Sequence, residues 1–252
     1  MAGEQASYFL GPANGSAVTA LSAYTYSLLA PLASAMNDTA AASLYTSTAL
    51  NLRTARNTEL WNPELGVYSL SLTDKTNYSL PAIAWTIISG TANTSQTASM
   101  LATALPNLRL GVGYRTSSAD PSLNTTNLSP NIHGFLLEAL FHAHRNTNLT
   151  QGLPAAKNLL EDFWSQMVTR DEYFSGASWE YLYPDGSPGL GPFTSLAHPW
   201  GAAPTYILHE YVLGISATAA GFRRWEFRPL VQGLGLGGGE WNGGDAFWGY
   251  CG

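Results

Sequence analysis

Apolar and small side chains recur at helical spacing through the first sixty residues. Val18, Leu21, Tyr24, Leu28 and Leu32 mark one stripe from Ser16 to about Ala35, with Ser16 as candidate N-cap and Pro31 as a kink. Leu44, Ala49, Leu52 and Leu60 mark a second, capped by Asp38 or Thr39 and stopped at "WNPELG", so the two predict a helical hairpin. "GVYSLSL" alternates and predicts a short strand, followed by a helix from Ser79 to Ile88. "TSQTASMLATAL" predicts a fourth helix, capped by Thr94 or Ser95 and ended by Pro106. A long polar loop leads to Ser129-Pro130, which opens "NIHGFLLEALFHAHR", the clearest amphipathic helix of the chain. "LPAAKNLLEDFWSQMVTR" and "APTYILHEYVLG" follow, the latter closed by Gly214. About seven helices joined mostly as hairpins predict an all-α bundle or toroid rather than a βαβ fold.

No fixed-period sequence repeat accompanies the hairpins, which sets aside ordinary solenoids. After Gly221 the pattern changes. "FRRWEFRPL" alternates and predicts a strand opening a second module, so the expected division is a helical region over residues 1–219 and a β-type start over 220–252. The run from Gly233 to Gly252 is so rich in glycine that an irregular tail is expected there.

Composition narrows the function. A 252-residue chain with 45% hydrophobic residues can bury a sizeable core. Charged residues make up only 11%, and the scattered basic ones form no stripe for a phosphate backbone, so nucleic acid is a poor partner. Polar residues interrupt every apolar stretch before it reaches the roughly 18 to 20 residues that span a bilayer, so no membrane span is expected. Seven Asn-x-Ser/Thr sequons, at Asn14, Asn37, Asn77, Asn93, Asn124, Asn127 and Asn148, favour a history in a secretory pathway, although the first residues carry no signal-peptide pattern. An extracellular full-length parent is the expectation. Cys251, the sole cysteine, cannot form an internal disulfide.

The stretch "FSGASWEYLYPDGSPGLGPFTSLAHPW", residues 174–200, holds one acid, Glu180, among aromatics, glycines and prolines. A carboxylate walled by Trp179 and Tyr181 is shielded from bulk water, which suits an acid or base group. The competing reading is that Glu180 only binds loop amides. "GASWEYLYPDG" followed by "TSLAHPWGAAPTYILHEYVLGI" resembles the C-terminal part of the (α/α)6-barrel catalytic domain of the α-L-rhamnosidases, glycoside hydrolase family 78, in its fungal style. "ELWNPELGVYSLSL" and "GFRRWEFRPL" also match that family, so the resemblance covers roughly residues 16–232. Pro199 stands where the family commonly has glycine.

The resemblance implies a mainly α chain, a partial (α/α)6 barrel with the start of a C-terminal β-sandwich. It implies an inverting hydrolase that releases terminal α-L-rhamnose, with Glu180 as the general base and His198 reaching the sugar pocket. Such an enzyme needs two carboxyl groups about 6.5 to 9.5 Å apart, one protonated and one ionised. Trp179 and Trp200 are candidates for stacking on the deoxy sugar, each also readable as core. The family's general acid lies in an acidic cluster that nothing upstream of Glu180 resembles, so the chain is expected to be incomplete as a catalyst and aggregation-prone alone, with Asp120 the only inner-loop carboxylate worth watching. The expected partner is a rhamnosyl glycoside or polysaccharide, with no cofactor and no metal.

His142 and His144 lie two apart on a helix and point to different faces, so they make no metal pair. Glu161, Asp162, Asp171, Glu172 and Glu210 read as surface, Asp185-Gly186 as turn chemistry, and "GLGLGGG" is not followed by the helix a phosphate loop needs. Two further functions stay open: another (α/α)6 glycosidase or lyase, and a non-catalytic carbohydrate-binding module.

Overall fold

The structure, a computed structural model, describes residues 15–169 and 172–230 together with the backbone strand Phe247–Tyr250. Helix α1 (Ser16–Ala35) runs through Pro31 and is preceded by Gly15 at the N-cap, one residue earlier than expected; the Ser16 hydroxyl donates to Ser69 O instead. Helix α2 (Thr39–Glu59) starts on Asp38, whose Oδ1 accepts from Ala41 N at 2.9 Å. The stripe expected to be buried on these helices is not the one that is. Leu28, Leu32 and Leu44 are 54%, 56% and 61% exposed, whereas Ala17, Ala20, Ala23, Ala30 and Ala33 are buried. Small side chains let α1 and α2 approach closely, so the alanine face makes the hairpin contact and the leucines point away from it.

Arg56 ties this hairpin to the rest. It is fully buried, its Nε donates to Ser16 O at 2.9 Å and its Nη2 to Ala82 O at 3.3 Å, and its guanidinium lies 4.0 Å over the Tyr68 ring. Burial pulls the Arg56 pKa down to about 9.

Helix α3 (Leu80–Ile88) is apolar on almost every side and buried on almost every side, as such a helix must be. Ser79 caps it by accepting from Ala82 N. The next helical rod, α4, comprises Thr94–Ser99, a π-helical segment Met100–Ala104 and a last turn Leu105–Leu108. Its cap is Asn93 rather than Thr94 or Ser95, because Asn93 and Gln96 exchange side-chain to backbone hydrogen bonds in a capping box, both at 2.9 Å. Pro106 does not end it. The π-segment shifts the hydrogen-bond pattern so that Pro106 opens a final turn, where its missing N–H costs little.

Helix α5 (Pro130–Thr147) begins at Ser129 and ends on Asn148 in the left-handed region, φ 56°. The rod α6 joins Leu153–Asn158, a π-segment Leu159–Trp164 and Ser165–Val168. The rod α7 joins Pro204–Ile207 to a π-segment Leu208–Val212, closed by Gly214 at φ 80°. Helices α1, α3, α5 and α7 stand side by side in that order as an inner row; α2, α4 and α6 back them as an outer row. This is a mainly α chain with the architecture of a partial α/α barrel.

Each outer helix returns to the next inner helix through a connection on one rim. The first carries the hairpin β1 (Trp61–Asn62) and β2 (Val67–Tyr68), the second β3 (Arg109–Leu110) and β4 (Gly113–Tyr114). Both turn on a left-handed glycine, Gly66 at φ 64° and Gly111 at φ 55°. Bridges Gly15–Ser71, Ser79–Ser117 and Leu128–Leu182 then stitch the chain just ahead of α1, α3 and α5 to neighbouring connections. Beyond α7, β5 (Ile215–Ala217), β6 (Arg224–Phe227) and β7 (Phe247–Tyr250) form an antiparallel sheet, so part of the glycine-rich tail pairs in register with β6; the rest of the tail, with Cys251, lies outside the described residues. Arg145 joins this sheet to α5 by pairing with Glu226 and Ser216. Among the described residues no helix is long and apolar enough to cross a membrane.

The core lies between the rows, where Leu136, Leu140 and Phe163 meet Leu80 and Ile83. His133 sits within it, stacked 4.3 Å from Phe163. Its Nε2 accepts from Tyr114 N at 2.8 Å, so Nδ1 carries the proton and donates to Ser129 O at 2.6 Å. Burial holds this imidazole neutral, with its pKa lowered to about 4.

Candidate functional site

The third outer-to-inner connection, from residue 172 to residue 203, contains Glu180 and His198. It is the longest of the three, and its shape is set by a few fixed points. "YPDG" forms a turn in which Tyr183 N donates to Ser187 O at 2.8 Å and Asp185 Oδ1 accepts from Ser187 N at 2.9 Å, with Gly186 at φ 87°. The turn is held by the second connection: Val112 N donates to Pro184 O at 2.9 Å, and a Cβ on Gly111 would lie 1.8 Å from that oxygen. Leu182 exchanges two backbone hydrogen bonds with Leu128, at 2.8 and 2.9 Å, just ahead of α5.

The two motif segments then run antiparallel to each other. Glu180 N donates to Ser195 O at 2.9 Å and His198 N to Ser178 O at 2.7 Å. Side chains alternate along such an extended segment, so Trp179 and Glu180 take opposite sides. Trp179 goes inward: it is 0% exposed, its Nε1 donates to Ser175 Oγ at 2.8 Å and its ring meets Tyr173 edge-on. This corrects the expectation of a stacking platform, because a side chain enclosed by core atoms has no face left for a sugar. Glu180 goes outward and is half-buried, with Oε2 accepting from Ser195 N at 3.4 Å, a long bond that holds a carboxylate weakly.

His198 is half-buried and makes no side-chain cap; its ring lies 4.1 Å from that of Trp200, tilted by 35°. Gly201 lets this segment close in, since a Cβ there would meet Ser178 Cβ at 2.9 Å and Trp179 O at 3.1 Å, and Trp164 Nε1 donates to Gly201 O at 2.8 Å. Trp200 is thereby placed against α5 and α7, at the edge of a groove of about 290 Å³ lined also by Asn131, Phe135, Ala203 and Tyr206. Asp120 is committed to its own loop: Oδ2 accepts from Ser117 N at 2.8 Å, and burial holds its carboxyl above the usual range.

The inner row supplies residues that sequence reasoning passed over. Tyr206 Oη donates to Glu138 Oε2 at 2.7 Å. Burial raises the Glu138 pKa, the Tyr206 hydrogen bond opposes the rise and nearby Glu210 adds to it. Burial, then Glu138, then Glu210 push up the phenol of Tyr24, and all three also raise those of Tyr206 and Tyr211, so two carboxylates and three tyrosines share one neighbourhood across α1, α5 and α7. Glu210 therefore does more than face solvent. Aromatic contacts extend the wall, with Tyr24 5.9 Å from Trp85 and Trp85 4.8 Å from Phe135. The available signal was a carboxylate three residues after Phe135 on an otherwise apolar helical face, matched by Glu210 four residues after Tyr206. Among the described residues no group of three or more His, Cys, Asp or Glu side chains could hold a metal ion.

No protein-family model and no curated protein sequence matches the chain. Two solved structures are similar to it in fold. A sialidase superposes with a TM-score of 0.68 at 12% identity, over 86% of this chain and 21% of the sialidase. A GH78 family rhamnosidase of Bacillus sp. GL1 superposes with a TM-score of 0.53 at 23% identity, over 80% of this chain and 19% of the rhamnosidase. The chain thus spans about a fifth of the length of either. At these identities the likeness is one of fold, and it agrees with the two-row helical architecture.

Proposed function

We propose that this chain is the base-bearing portion of an inverting glycoside hydrolase that releases terminal α-L-rhamnose, with Glu180 as the general base. One observation carries the reading: the Glu180 and His198 segments are hydrogen-bonded to each other on the rim where the inner helices begin, with Glu180 directed out of the core beside its buried neighbour Trp179. The likeness in fold to a rhamnosidase supports it, as does the motif resemblance around both residues. In this reading Glu180 takes a proton from water as the water oxygen bonds to the anomeric carbon. The glycosidic bond breaks with its electron pair leaving on the aglycone oxygen, which a carboxylic acid beyond these residues protonates. His198 donates to or accepts from a ring hydroxyl, and Trp200 covers an apolar face of the sugar.

The test is hydrolysis of an aryl α-L-rhamnoside by the natural protein that carries these residues, with the anomer first released read by NMR. Glu180→Gln is expected to lower kcat by about 10² to 10⁴, the usual worth of a positioned base. Retained activity in that variant, or release of the retained anomer, rejects the assignment.

A further inference from the structure

We infer that the groove between α5 and α7, lined by Asn131, Phe135, Trp200 and Tyr206, is a subsite for one uncharged sugar ring, with the Tyr206–Glu138 pair reading a hydroxyl. The inference rests on the glycoside hydrolase reading for the kind of ligand but uses residues outside the motif segments. A volume of about 290 Å³ lies at the lower end of the roughly 300 to 1,000 Å³ typical of small-molecule sites, which suits a single ring rather than an oligosaccharide. Phe135 and Trp200 supply the apolar walls that the C–H face of a sugar requires, and Asn131 supplies an amide able both to donate and to accept.

Tyr206 is 46% exposed, and its hydroxyl proton is engaged by Glu138. That hydrogen bond turns the oxygen lone pairs outward in a fixed direction, ready to accept from a sugar O–H. Charge narrows the ligand further. Glu138 and Glu210 stand behind the groove, and none of the described residues lining it is Lys or Arg. The nearest basic group on α5, Arg145, is engaged with Glu226, Ser216 and Glu210 O. A carboxylated sugar such as a sialic or uronic acid would meet negative charge with no cation to receive it. The sialidase likeness in fold therefore does not extend to the ligand of this groove.

Ligand-observed NMR titrations of the 252-residue chain with methyl α-L-rhamnoside and with N-acetylneuraminate test this. The rhamnoside is expected to bind and the neuraminate to bind at least tenfold more weakly. Trp200→Ala should weaken rhamnoside binding about tenfold, the loss of one stacked ring, and Tyr206→Phe about fivefold, the loss of one hydrogen bond. Tyr206→Phe changes only the hydroxyl of a half-exposed ring, and unchanged helical circular dichroism separates its effect from misfolding. Equal or tighter neuraminate binding, absence of rhamnoside binding, or rhamnoside binding indifferent to both variants overturns the inference. Hydrolysis by the Glu180→Gln variant is a separate readout. Its persistence would reject the base assignment while leaving the groove result intact, and loss of hydrolysis with indifferent groove variants would do the reverse.

Discussion

The three outer-to-inner connections occupy equivalent places in the fold and are built differently. The first two are tight: a two-residue ladder, a glycine turn, and a short run to the serine that caps the next inner helix. The third spans more than thirty residues, folds a turn of its own, and lays two segments against each other before α7 begins. Where the connection is short, nearly every polar group is spent on holding the rim together. Where it is long, only its base is needed for that purpose, and side chains such as Glu180 and His198 are left at the surface for chemistry.

Substitutions can break or sharpen this contrast. The largest effect is expected within the long connection itself, between its two tryptophans. Trp179→Ala removes a fully buried ring and should cost about 3 to 5 kcal/mol in urea unfolding, whereas Trp200→Ala, at the groove edge, should cost about 1 kcal/mol or less. Similar costs for the two would erase the distinction between core and groove. Next is Gly111→Ala, which combines a left-handed φ of 55° with an approach of 1.8 Å to Pro184 O. A loss of about 3 kcal/mol is expected, together with loosening of the Glu180 loop that hydrogen exchange at Val112 would report.

Acid should weaken the second connection with a similar size. His133 stays neutral in the folded state down to about pH 4, while in the unfolded chain it takes up a proton near its ordinary value of 6.5. Between those values the unfolded state binds more protons, so stability falls as pH drops from about 6.5 toward 4 and then levels off, a loss of about 3 kcal/mol. His133→Gln should flatten that slope in denaturation curves measured across this window. The smallest effect is Gly66→Ala in the first connection, about 1 to 2 kcal/mol. Its φ of 64° is equally unfavourable, but the nearest atom is the Ser99 hydroxyl, a side-chain tip that can swing away.

The helical rows were readable from periodicity and punctuation, because Asp38, Ser79, Ser129 and Gly214 mark their helix ends by local chemistry alone. Leu28, Leu32 and Leu44 were misassigned because spacing reveals an apolar stripe but not which stripe finds a partner; the alanines on the adjoining face do. The "NTS" run at 93–95 offered three capping residues in a row, and only the reciprocal bond to Gln96 selects Asn93. At the site, the segments bearing Glu180 and His198 were legible as motifs. Which tryptophan turns inward was not, since that depends on a strand pairing between residues far apart in the chain. Glu138 was hidden by its helix, where one acid on an apolar face looks like noise until α7 brings Tyr206 against it.

The wide turns in α4, α6 and α7 make these rods intolerant of changes in length. A π-helical turn accommodates one residue more than an α-helical turn, so excising a single residue from Leu208–Val212 would let the rod relax to regular α geometry and swing everything after the cut by about 100° around the axis. The Glu210 carbonyl would leave Arg145, and β5 would enter its sheet with the opposite face inward. In that region a one-residue deletion is a more severe lesion than most point substitutions.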